Sequence, residues 1–598
     1  MSPYTQESRV GNFKTPLGTD KLVLRRFDGI EGMNELFEYH IEAITTDQTI
    51  DFGQAIGGNC SLALKTVDGG TRYFDGILTE VVLVEETTEG LVYDLTLRPW
   101  LWLLSKTRNS LIFHNQSAPE IIQQIFGKHS GLARFEALLS RSYPTLEYCV
   151  QYRESDLAFA RRLMEQHGIN FHFRHEEGKH TLVLGDGARA YDPIAGDTRP
   201  FIGIVKRHQR ESEHFHHWAP ERRFTTGRVT LNDYDFKRPS ANLRSERTGD
   251  AQHRNAHLEE YDYPGKYKVE SNGQDYARWR LEGIRAADGH FHAAGDCVSC
   301  TPGQLVTLTN HPNGVHNKKY LALRCVHAFR TEAYRSVSAT ADEPAYDGRY
   351  EFIDATRPYA PEPVTPKPYL RGPQTALVVG SGEIDCDEFG RVTVRFFWDR
   401  NNDQSMRARV AQVWASEQWG GLFTPRVGME VIVDFLEGDP DHPIVIGCVY
   451  NGTNTPPYLP GEENISGWKS NSTPGGGGYN EFIMDDTAGD ELVRLHAQRD
   501  LESTIENDER RTIGNDRTTT IGHNDTLTVG NNIMIEAGSQ ITLKVGGSTI
   551  VIDSTSITLK SMNVTGHATG HLETKSDATA SHKASGPMEI RGLIVNVN

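Results

Sequence analysis

The chain is short of cysteine, of long apolar runs and of positive charge, and each shortage excludes a class of protein. Seven cysteines are scattered over 598 residues, at 60, 149, 297, 300, 325, 386 and 448. An odd, sparse set of this kind is not a disulfide framework. Cys297 and Cys300 form a single CxxC pair with no second pair to complete a zinc site. The stretch around them reads as strand, where positions three apart face opposite ways. No run of 18 apolar residues occurs, so no membrane-spanning helix is expected. The opening MSPYTQESRVGNFK has no apolar core segment and is not a Sec-type signal. The protein is therefore expected to fold in the cytoplasm, and any export to use another route. A net charge of −18 argues against a broad nucleic-acid surface, which would be basic.

Catalytic signatures are missing too. There is no GxSxG elbow and no GxxxxGK[ST] phosphate loop. His175, Glu176 and His180 look at first like a zinc-protease motif, but the histidines are five apart, not four, and Gly178 lies between them. The segment reads better as a hairpin, FHFRH and HTLVL about an EEGK turn. His214, His216 and His217 offer no identifiable third ligand and read as a surface strand. Trp398, Trp414, Trp419 and Phe423 are the residue types that stack bases or sugars, but without a basic groove around them core packing is the expectation. No catalytic, cofactor-binding or metal-binding residue is assigned, and no cofactor is expected.

What the chain does have is a repeat. From Thr504 to Asn532 it reads TIENDERR, TIGNDRTT, TIGHNDTL, TVGNN. Ile505, Ile513, Ile521 and Val529 recur every eight residues, with Gly514, Gly522 and Gly530 following at the same interval. A helical face returns after three or four residues, so this is no helix. A short strand closed by a tight turn fits, with glycine permitting the turn backbone. Ordering eight backbones costs roughly 8–16 kcal/mol. Burying one isoleucine returns about 1.5–3 kcal/mol. A solitary chain falls short, and the remedy is several copies wound together about a shared apolar axis.

The remainder divides by composition. Residues 1–372 read as mixed β with a few helices, and 598 residues are enough for several domains. Ser117 to Glu120 is a capping box opening a helix whose face is Ile121, Ile122, Ile125 and Phe126, stopped by Gly127. A second helix runs from Ser155 to Gly168, and a third covers Tyr276 to Ala286. A proline-rich stretch, 359–374, leads into short alternating strands through Val392, Val394, Phe396 and Val431, Val433, Phe435. These predict an OB-type barrel over 373–455. Residues 456–490 read as a connector and 491–598 as the repeat unit, whose rhythm continues through Ile541/Leu543, Ile550/Ile552 and Ile557/Leu559 to Val595 and Val597. If strands stack about 4.8 Å apart, the unit reaches on the order of 50–60 Å, longer than the ~30 Å hydrocarbon core of a membrane.

Several long motifs carry a resemblance. WGGLFTPRVGMEVIVDFLEGDPDHPIVIGCVYNG, from Trp419 to Gly452, is similar to the barrel of the VgrG family, spike proteins of bacterial type VI secretion systems related to phage tail hub and spike proteins. RFDGIEGMNELFEYHI, LTLRPWLWLL and YRESDLAFARRLMEQHGINFHF resemble the family's hub, and GGGGYNEFIMDDTAGDELVRLHAQRDL resembles its junction to the needle. The resemblance implies a mainly β, multidomain chain with a phage hub-like α+β base, an OB-fold barrel and an intertwined trimeric β-helix, or β-prism. It implies a homotrimer seated on the Hcp tube, a PAAR-repeat tip protein at the far end, effector or adaptor cargo, and transient contact with a target membrane. Val595, Val597 and Asn598 are where the tip is expected to dock. No enzyme domain is expected after the repeat, and about 30 residues between barrel and repeat are too few for one. Toxic activity is therefore expected of cargo. In a trimer, His567 or His571 would form a ring of three able to hold a metal, although exposed positions are expected. A phage-type spike and a histidine-based metalloenzyme using 172–217 are the alternative readings.

Overall fold

The computed structural model describes residues 4–203, 212–251, 253–331 and 345–597. It separates into two compact units, 1–500 and 501–598. No helix among the described residues is long and apolar enough to cross a membrane.

The first unit is built on a 12-stranded sheet. Strands from both ends of the hub meet at its centre, where Val23–Gly32 pairs antiparallel with Lys319–Arg330, setting Phe27 opposite Phe329 and Ile30 opposite Val326. Alternation drives one face inward. Phe27, Tyr39, Ile41, Phe74, Leu95 and Leu97 are buried there, beneath the helices that supply Ile121, Ile122, Phe126, Phe159 and Leu163. The expected cap at Ser117 forms, and Ser155 caps the second helix. Ser117 donates from its backbone N and its Oγ to Glu120 Oε2, each at 2.7 Å, and Ser155 Oγ accepts from Ala158 N at 3.1 Å. The third helix is longer than expected, Glu270–Ala286. Its opening Glu-Ser-Asn-Gly is poor in helix formers, and packing on Val229, Leu231 and Leu243 overrides that local preference. The hairpin about EEGK forms as Asn170–Glu176 against Lys179–Gly185, with Gly178 at φ +72° in its turn.

The barrel is a five-stranded sheet in the order Thr393–Phe396, Gln374–Val379, Glu430–Phe435, Pro443–Val449, Arg409–Val410. Val378, Val394, Phe396, Val431, Val433 and Val445 fill it, and the hub's Tyr148 and Val150 join the same core. Polar contacts tie the two: Asp441 Oδ1 accepts from Val150 N at 2.7 Å, and Lys266 pairs with Asp439.

Residues 456–490, expected as a connector, contain two strands. Ile465–Lys469, Glu481–Asp485 and Leu492–His496 form an antiparallel sheet. Alternation puts Trp468, Phe482, Met484, Val493 and Leu495 on one of its faces, and all five are exposed.

The second unit departs from its expected form in two ways. Among the described residues, no strand is assigned between Leu501 and Ser539, and the chain makes no ladder hydrogen bonds with itself there. Further on, Ile541/Leu543, Ile550/Ile552 and Ile557/Leu559 do not continue the repeat. They lie on three self-paired antiparallel strands, Gln540–Val545, Ser548–Asp553 and Ile557–Lys560. The physical reason is turn chemistry. Gly546-Gly547 makes a two-residue hairpin with Gly546 at φ +55°. Asp553 closes the second turn by accepting from the backbone N of Thr555 and Ser556, each at 2.8 Å. Those bonds hold the Asp553 carboxyl at about 2.

Candidate functional site

Two sets of residues have the composition of functional sites. One is buried polar chemistry in the hub, and the other is bare apolar surface.

In the hub, Glu31 stands opposite Cys325 in strand register, and His327 lies two residues further along on the same face. Their ligand atoms fall within 4.8 Å of one another. The carboxylate is already saturated. Arg72 Nη2 donates to both of its oxygens, at 2.9 and 3.1 Å, and Tyr39 donates its hydroxyl at 2.8 Å. His327 Nε2 lies 3.1 Å away. Burial alone would raise the Glu31 carboxyl, but the charge of Arg72 and the bond from His327 outweigh it and hold the group well below the usual carboxylate range. His175 and His180 join this network. His175 Nδ1 accepts from Asp75 N at 3.1 Å, and burial followed by Arg72 pushes its pKa far down. His180 accepts from Trp100 N at Nε2, and its Nδ1 lies 2.8 Å from Asp75 Oδ1. The chemistry of this donor set is that of a compensated buried ion pair, not of an open metal centre, since a guanidinium already neutralises the Glu31 carboxylate. Sequence reading found His175 and His180 but missed Glu31, Arg72 and His327. Only the cross-strand register, over nearly 300 residues of separation, reveals them.

Other expectations need correction. The CxxC stretch is a turn rather than strand: Cys300 N donates to Cys297 O at 3.1 Å, and Cys300 Sγ lies 3.9 Å from Cys325 Sγ. His214 is buried, not on a surface strand, and its Nδ1 is 3.1 Å from Asp296. Only Phe215–Pro220 forms the strand, in which His217 is exposed. Trp398 does pack inward, stacked on Phe396. Trp414, Trp419 and Phe423 do not. They lie in and beside the two-residue strands of a small hairpin, too short to reach the barrel core, and are 65%, 53% and 56% exposed beside Val413 and Leu422.

The bare apolar surface is concentrated in the second unit. Ile505, Ile513, Ile521 and Val529 are 49%, 49%, 47% and 45% exposed. Near-identical values at each repeat mean that every eight residues rebuild the same local geometry. His567 and His571 are exposed, with His571 Nε2 3.8 Å from Glu573. Val595 and Val597 are exposed, with no strand assigned around them, and Asn598 lies outside the described residues.

This architecture, a β hub followed by an OB barrel and a periodic carboxyl-terminal segment, is that of the hub and spike proteins of contractile injection machines. The family model for the phage tail baseplate hub (GPD) matches residues 30–333. The type VI secretion system/phage-baseplate injector OB domain matches 374–450. The bacteriophage T4 gp5 C-terminal trimerisation domain matches 466–576. Curated relatives include the type VI secretion system spike proteins VgrG1c and VgrG1a of Pseudomonas aeruginosa. Each is 40% identical, over 85% and 84% of this chain and 71% and 79% of theirs. The chain belongs to the VgrG family of type VI secretion spike proteins. Solved structures share the fold. The E. coli c3393 protein, a type VI secretion component similar to the T4 tail proteins gp27 and gp5, aligns with a TM-score of 0.54 at 18% identity, covering 73% of this chain and all of that one. The lidded Francisella PdpA–VgrG complex aligns at 0.53 and 9% identity, covering 79% and 76%.

Proposed function

We propose that the chain is a non-enzymatic puncturing and delivery spike that acts as a homotrimer. The single observation that carries this reading is the period-eight segment, whose aliphatic residues stand half exposed and whose backbone finds no partner in its own chain. Three copies wound about one axis would bury each ladder of Ile505, Ile513, Ile521 and Val529 and give each strand a neighbour. In this reading the base sits on the Hcp tube, a PAAR-repeat tip docks near Val595, Val597 and Asn598, and effectors or adaptors ride as cargo. Pairing between chains leaves few open strand edges, which suits a rod that must cross a bilayer without aggregating. In this reading the protein resides in the cytoplasm until the machine fires. The gp5-type trimerisation model over 466–576 supports the trimer, and the compensated Glu31 network supports a structural hub rather than a catalytic one.

The test is mass in solution. Light scattering of the full chain is expected to return three times the chain mass, independent of concentration in the micromolar range. A stable, folded monomer overturns the reading.

A further inference from the structure

Residues 540–560 differ from the ladder that precedes them. Pairing sets Ile541 beside Ile552 and Ile552 beside Ile557, and Leu543 beside Ile550 and Ile550 beside Leu559. All six therefore share one face of the three-stranded sheet. The opposite face carries Thr542, Lys544, Thr549, Asp553, Thr558 and Lys560, with Val551 as its single aliphatic residue. Five of the six aliphatics are exposed, from Ile550 at 37% to Ile557 at 71%. A sheet that leaves its whole aliphatic face in water gains nothing from those side chains until something covers them. Its polar face cannot readily take a second layer, because the ammonium groups of Lys544 and Lys560 would be buried side by side with Thr542, Thr549 and Thr558. The cover must meet the aliphatic face.

We propose that this cover is the same face of two further copies. Three self-paired sheets would close on a common dry axis, and the needle would change here from strands shared between chains to strands paired within each chain. The proposal rests on the trimeric reading above and goes beyond it. One observation names a second copy as the occupant. The segment lies wholly inside the 466–576 match to a trimerisation domain. In the trimeric reading it also follows directly on the ladder, so the three faces would meet at high local concentration. The density of apolar residues agrees. Seven aliphatics on one face within 21 residues, Val545 included, can fill an axis by side-chain contact alone, whereas the ladder, with one Ile or Val in eight, depends on shared hydrogen bonds. The functional consequence is a clamp on register. A period-eight ladder tolerates a slip of one repeat, since Ile513 can take the place of Ile505, but the non-repeating face at 540–560 matches itself in one alignment only.

Disulfide trapping in the full chain tests this. The Thr542→Cys/Val551→Cys pair sits side by side on the polar face of neighbouring strands and is expected to close within one chain, leaving the band at the single-chain position on a denaturing gel. Ile550→Cys alone, on the aliphatic face, is expected to give dimers linked through position 550 under mild oxidation. Val551→Cys alone should link at least tenfold less. Tryptic mapping separates these bonds from the exposed native Cys386 and Cys448. Links between chains for Thr542→Cys/Val551→Cys mean that strands are exchanged here as well, and overturn the proposal. A trimeric mass with no link through position 550 overturns it too, while leaving the trimeric spike intact. A monomeric mass overturns both.

Discussion

The hub and the second unit draw on similar apolar residues and place them in opposite ways. Phe27, Tyr39, Phe74 and Trp100 are at most 1% exposed, enclosed by one chain's own sheet and helices. Ile505, Ile513, Ile521 and Val529, in the same polypeptide, stay near half exposed. The hub has strands from widely separated parts of the sequence to lay over its core, whereas the repeat offers one aliphatic residue in eight and no fold-back. The difference teaches that the hub satisfies its apolar residues within one chain while the second unit leaves its own bare, and that each should fail in its own way.

The largest expected effect lies in the needle. In the trimeric reading, Ile521→Asp puts three carboxylates on one axis. Each copy loses roughly 1.5–3 kcal/mol of burial and adds a much larger desolvation cost. Trypsin is expected to cut beyond Asp500 about tenfold faster or more, with hub melting unchanged. An equal fall in both units would break the comparison. In the hub, Arg72→Met strands the buried Glu31 carboxylate. Chemical denaturation should show a loss of about 3–5 kcal/mol with the oligomeric mass unchanged. A third prediction concerns acid. Burial lowers the folded-state pKa of His167 to about 4 and of His172 to about 3. The unfolded chain takes up these protons near pH 6.5 and the folded hub does not. Hub stability is therefore complete above pH 6.5 and falls as pH drops towards 4, by on the order of 1 kcal/mol per unit for each histidine. Urea midpoints of the hub transition at pH 7 and pH 5 measure this. The smallest effect is Ser117→Ala, which removes one hydroxyl from a helix cap and should cost about 1 kcal/mol in the hub alone.

Much of the local structure was legible beforehand. The cap at Ser117, the helix start at Ser155, the EEGK hairpin and the barrel alternation through Val431, Val433 and Phe435 all formed as read. The errors share one cause. The third helix's start, the CxxC turn, buried His214 and exposed Trp414 and Trp419 each depend on what packs against the segment, which a local pattern does not contain. The segment 540–560 was misread because apolar pairs seven to nine residues apart look like a ladder until Gly546-Gly547 is recognised as a hairpin turn.

By itself, the sequence determined that the carboxyl-terminal segment is periodic, extended and too lean in apolar residues to stand alone, because spacing and composition are local quantities. Only the tertiary structure decided which distant groups share a site. Glu31, Arg72, His175 and His327 meet through strand register and long chain returns, and no window of sequence records that meeting. The same holds for the aliphatic face at 540–560, where sidedness belongs to the paired sheet and not to any one strand.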